Sequence, residues 1–156
     1  MTDAKLSAID LGGLEKNHQT LLSLCLALEE IASALPEAVD REACRRAAVT
    51  IPSLLRQTHL LEETMLFPDF DRNAGSTFSL TMIEQLKAEH RCDLLTSAEV
   101  SKTLMILADG RDDPAASSAR YLLNGFLESI RRHVLSEKLI IEALLVAKAE
   151  GREILA

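Results

Sequence analysis

HLLEETMLFPDF, running from His59 to Phe70, sets a histidine and a glutamate among leucines on what reads as one face of a helix. His59 and Glu63 are four residues apart, so on an α-helix they lie one above the other. Leu55, four before His59, and Leu66, seven after it, share that side and mark it as the buried one. Polar side chains on a buried face need partners, which the rest of the chain must supply.

The chain has four histidines, His18, His59, His90 and His133, and each falls in a different helical pattern. His18 is flanked at helical spacing by Leu14, Leu21, Leu22 and Cys25, His90 by Ile83, Leu86 and Leu94, and His133 by Phe126, Ile130 and Ile140. All four therefore point into an apolar stripe. Any one of them alone is explained as well by a hydrogen-bonded core imidazole. Four unpartnered imidazoles would cost about 1–3 kcal/mol each, so a shared partner at the centre is economical. His133 and Glu137 repeat the spacing of His59 and Glu63, bringing two carboxylates to the level of the imidazoles, and buried anions are tolerated when paired or bound to metal.

The helical patterns run from about Gly13 to Leu35, Asp40 to Phe70, Thr77 to Ala108 and Pro114 to Lys148, with Pro, Gly, Asp and Ser clusters between them. Pro52 lies inside the second and predicts a kink or break there. Short connections make neighbours antiparallel, so the expected fold is all-α, an up-down-up-down antiparallel four-helix bundle. At 156 residues the chain suits a single domain, 1–156, with its core at about 13–149. Aromatic residues are 3% of the chain and Trp is absent, leaving leucine, isoleucine and alanine to fill the interior.

A net charge of −7 argues against nucleic-acid binding, which needs a basic surface. Cys25, Cys44 and Cys92 form no CxxC pair and are odd in number, so reduced thiols are expected. With no signal-like N-terminus and no long apolar run, the expectation is a cytoplasmic protein without membrane association.

His18, His59 with Glu63, His90, and His133 with Glu137, together with LFP at Leu66 to Pro68 and LKAEH at Leu86 to His90, resemble the hemerythrin-like, or HHE cation-binding, domain family. The resemblance covers nearly the whole chain. It implies a non-haem di-iron centre held by His18, His59, Glu63, His90, His133 and Glu137, with two histidines on each iron and the two glutamates and a solvent-derived oxygen as bridges. A small diatomic ligand or peroxide is the implied partner, and oxygen carriage, iron storage, nitric oxide or peroxide handling and redox sensing all remain compatible. Two departures stand out. Glu62 and Glu63 begin three rather than four residues after the histidine, and LFP is likewise one residue early. Leu94 stands where oxygen-carrying members have a further histidine, which favours redox or sensing chemistry over stable oxygen carriage. Glu62 and Asp93, each three residues after a histidine, are candidates for substitute ligands or for partners that hold an imidazole.

Two alternatives carry different chemistry. A ferritin-like carboxylate site wants two Glu-x-x-His motifs, of which only Glu15 to His18 is present. A metal-free helical interaction module would make the histidines ordinary core residues.

Overall fold

The computed structural model describes residues 5–74, 76–111 and 116–153. Its helices are α1 (Ala8–Ala34), α2 (Arg41–Leu61), α3 (Phe67–Ala74), α4 (Phe78–Ala108) and α5 (Ala116–Glu150), and a π-helical turn (Glu62–Leu66) joins α2 to α3 without a gap. The α2–α3 rod therefore counts once, and the architecture is an all-α four-helix bundle with no strand among the described residues. No described helix is long and apolar enough to cross a membrane.

Cross-helix hydrogen bonds fix the register. Along α1 and α5, Ala32 accepts from Arg120, and the Cys25 thiol meets the Leu127 carbonyl. Along α2 and α4, Arg45 reaches the Ala108 carbonyl and Ser101 reaches that of Ala48. Along α4 and α5, Ser129 reaches Asp93 and His133 meets Glu89. Rising numbers on one helix meet falling numbers on the next in each pair, so these neighbours are antiparallel. Arg120 and Arg45 thereby donate to carbonyls in the last turns of α1 and α4, that of Ala32 also accepting the N–H of the capping Leu35.

Two features differ from expectation. The first helix begins at Ala8 rather than near Gly13, because Ser7 and Asp10 form a capping box: the Asp10 N–H donates to Ser7 Oγ and the Ser7 N–H to the Asp10 carboxylate, both at 3.1 Å. Gly12 and Gly13 lie inside it. The expected start of the fourth helix at Pro114 falls outside the described residues.

The second difference is at Pro52, where α2 runs on unbroken. Proline donates nothing to the carbonyl four residues before it, that of Ala48. The Ser101 hydroxyl on α4 donates to that same carbonyl at 2.9 Å. The neighbouring helix supplies the bond that the proline removed.

Apolar cores flank the middle of the bundle on both sides. One contains Leu28, Ile51, Leu104 and Leu123. The other contains Leu14, Leu66, Phe67, Phe70, Leu86 and Leu144. Here α3 is tied to α5 through the buried Asp69, whose carboxylate accepts from Lys148 Nζ at 2.5 Å and from Arg72 and Asn73.

Candidate metal centre

Between the two apolar cores lie His18, His59, Glu62, His90, His133 and Glu137, all at most 6% exposed. α1 contributes His18, α2 His59, the π turn Glu62, α4 His90, and α5 both His133 and Glu137. One donor atom from each of His59, Glu62, His90 and His133 lies within 4.8 Å of the others, and the same holds for His18, Glu62 and Glu137. The expectation of two imidazoles on each side is not how the side chains group. Three gather together, and His18 stands apart.

Both carboxylates span the two groups. Glu62 places Oε1 2.8 Å from His18 Nε2 and Oε2 3.0 Å from His90 Nε2. Glu137 places Oε1 2.9 Å from His133 Nε2 and 3.1 Å from His90 Nε2, with Oε2 3.2 Å from His18 Nε2.

Glu63, expected on the inward face with His59, lies outside this cluster. It is partly exposed and meets His90 from the far side, at Nδ1, at 2.7 Å. The π turn accounts for the difference. Glu62, Leu66, Phe70 and Ala74 are all buried at steps of four, but a regular α-helix drifts by about 40° at each such step and would have turned the last away. A π turn absorbs one extra residue and restores the phase; its wide bond runs from the Phe67 N–H to the Glu62 carbonyl. Measured from His59 alone, Glu62 and Glu63 lie about 60° and 40° to either side, a difference too small to choose between them. The apolar phase downstream decides, and the early LFP was its trace in the sequence.

Outer carboxylates orient two of the rings. A carboxylate can only accept, so the proton shared with Glu63 sits on His90 Nδ1, and the proton shared with Glu89 at 3.0 Å sits on His133 Nδ1. A neutral ring held this way would turn its Nε2 lone pair inward, toward carboxylate oxygens about 3 Å away, so a hydrogen bond there needs a second proton on the ring or one on the carboxyl. Lone pairs facing lone pairs at that distance repel unless a proton or a cation lies between them. His59 stacks on His90 with ring centroids 3.8 Å apart, and its Nδ1 is buried with no hydrogen-bond partner.

The titration of these groups follows the crowding. Burial, with the neighbouring His90 and His133, lowers His59 to about 3. Burial would also lower His133, but its hydrogen bond to Glu137 and the charges of Glu137 and Asp93 outweigh that and lift it to about 9. Burial and the nearby Glu137 raise Glu62 well above the usual carboxylate range. Burial acts on Glu137 in the same sense, yet the hydrogen bonds from His133, His18 and His90 overcome it and hold that carboxyl well below the range. Two buried carboxyls this close do not both ionise freely, so a proton or a cation between them is favoured.

Four imidazoles, two bridging carboxylates and an orphaned imidazole nitrogen form a donor set that fits metal cations of the iron, manganese or zinc type. Asp93, weighed as a ligand, lies one layer out: Oδ1 accepts from Ser129 at 3.0 Å and Oδ2 is 3.9 Å from His133 Nδ1. Leu94 packs against the apolar core of the opposite half.

The model of the hemerythrin HHE cation binding domain matches residues 11–145. Neither the curated proteins nor the solved structures contain a match.

Proposed function

The chain belongs to the hemerythrin HHE cation-binding domain family, and on that premise we propose that its buried cluster holds two iron ions and handles a small diatomic ligand or peroxide rather than carrying oxygen stably. The ligands proposed are His18, His59, Glu62, His90, His133 and Glu137, with Glu62 in the place first expected for Glu63. When bound, the iron pair supplies ligand binding and one-electron exchange.

The observation that carries this reading is the three-to-one grouping of the imidazoles across two bridging carboxylates. His59, His90 and His133 crowd one position with nitrogen donors. His18 offers the other position a single imidazole, so more of its coordination sphere is left to exogenous molecules. Glu63 and Glu89 hold the His90 and His133 rings by their outer nitrogens, fixing the tautomer that presents Nε2 inward. Phe67, 1% exposed and stacked 5.5 Å from His90, closes that side with an apolar ring and keeps water from it.

The test combines stoichiometry with reactivity. Anaerobic loading with ferrous iron should give about two ions per chain, a count that follows from the two donor groups. Admission of air should then oxidise the sample rapidly. Oxygen uptake that is released intact under vacuum through repeated cycles would restore the carrier reading, and absence of bound metal would refute the site.

A further inference from the structure

The wall between α4 and α5 is polar where it passes the centre. A cavity of about 400 Å³ opens there, lined on α4 by Glu89, Cys92 and Asp93 and on α5 by Ser129, Arg132 and His133. Asp93 is 5% exposed, and its Oδ2 is buried without a hydrogen-bond partner. Its other oxygen is held by Ser129, which fixes the carboxylate in place. Glu89 extends the acidic lining outward: its side chain is 43% exposed and its Oε2 lies 3.0 Å from His133 Nδ1.

His133 therefore stands between one inner carboxylate and an outer pair. Its Nε2 faces Glu137 inside, and its Nδ1 faces Glu89 and Asp93 outside. A buried carboxylate with an unused oxygen is costly to maintain without a cation to satisfy it. Along the bundle axis the centre is sealed on both sides by apolar cores, through which a divalent ion would pass at high cost.

We propose that Asp93 and Glu89 form an outer site for a divalent cation, and that this site is the route by which ions pass between solvent and the buried centre. The acidic lining concentrates cations at the mouth, and exposed Arg132 limits how firmly they are held there. Hard carboxylate oxygens without an inward-facing imidazole nitrogen make the outer site weaker than the inner one, as transit requires. The route rests on the reading of the inner cluster as a metal centre, so the experiment must separate the two.

Cobalt(II) mixed with the metal-free full chain reports loading through its visible absorption. In Asp93→Asn, which leaves the Glu89 contact to His133 intact, loading should slow on the order of tenfold, as expected when the acidic focusing is removed. Release to an excess of chelator should slow by the same factor, leaving affinity and final stoichiometry unchanged, because a transit site lies on the path in both directions. Unchanged rates would overturn the route. Faster release with weaker affinity would also overturn it, since Asp93 would then merely help to hold His133. If the wild-type chain bound no cobalt, the centre would fall and the route with it.

Cys92 supplies a test that leaves both carboxylates intact. It is exposed at the cavity, whereas Cys25 and Cys44 are buried. A bulky maleimide on Cys92 should slow loading of the wild-type chain and leave Cys92→Ser unaffected. Loading as fast after alkylation as before it would overturn the proposal.

Discussion

α5 and the α2–α3 rod carry the same pattern, a histidine followed four residues later by a glutamate, and only one of them obeys it. In α5 the backbone is α-helical from Ala116 to Glu150, and His133 and Glu137 meet inside the bundle at 2.9 Å. In the rod the partner of His59 in the cluster is Glu62, and Glu63 is turned outward to the far nitrogen of His90. Spacing fixes which side chains share a face only while the backbone keeps its pitch. The rod breaks pitch once visibly, at the π turn, and carries a second irregularity at Pro52 that the neighbouring helix compensates.

The comparison breaks most sharply at the two bridging carboxylates. Glu62→Ala and Glu137→Ala should each abolish stoichiometric metal, because each removes donors from both groups and strands imidazoles that it bridged. Elemental analysis after anaerobic iron loading measures this. Full occupancy in Glu62→Ala, with loss in Glu63→Ala, would mean that the rod keeps α-helical pitch in solution and that the two helices are alike after all.

Glu63→Ala should have a smaller effect. The side chain touches the outer nitrogen of His90, and removing such a partner weakens metal affinity by about 10–100-fold while leaving the site intact. Competition with a chelator of known affinity reads the difference. An effect as large as that of Glu62→Ala would place Glu63 among the ligands.

A third prediction concerns the end of the rod that lies beyond the π turn. Asp69 is 2% exposed and is held by Lys148, which is itself about one-third exposed. Lys148→Met leaves a buried carboxylate with Arg72 and Asn73 as remaining partners, and should destabilise the protein by about 2 kcal/mol. Chemical denaturation of the metal-free chain measures it. Unchanged stability would show that the Lys148 contact adds nothing to what holds α3 in place.

The contrast between the two helices also marks what was legible in the sequence. The bundle was, because leucine stripes at helical period and short polar connections leave few other packings. The histidines and Glu137 were legible for the same reason, each lying on an apolar stripe within a regular helix. Glu62 was not, because choosing it over Glu63 depends on the phase of Leu66, Phe70 and Ala74, residues that follow it. The roles of Glu63 and Glu89 at the outer nitrogens depend on the distance between helices, which no spacing within one helix encodes. Ser101 was illegible in the same way: nothing in its own neighbourhood links it to a proline 49 residues earlier.

The smallest expected effect tests that link. Pro52 leaves the Ala48 carbonyl without its helical donor, and Ser101 donates to it from α4. In the wild-type chain, Ser101→Ala strands a backbone acceptor and should cost about 1 kcal/mol in denaturant unfolding. Pro52→Ala returns an N–H to the position four residues after Ala48, so the helix can satisfy that carbonyl itself. Ser101→Ala made in the Pro52→Ala background should then cost measurably less, and the two substitutions should be non-additive. Equal costs in both backgrounds would show that the serine contributes independently of the proline. The unbroken path of α2 through Pro52 would then owe nothing to α4, and the second irregularity of the rod would be one that its own packing absorbs.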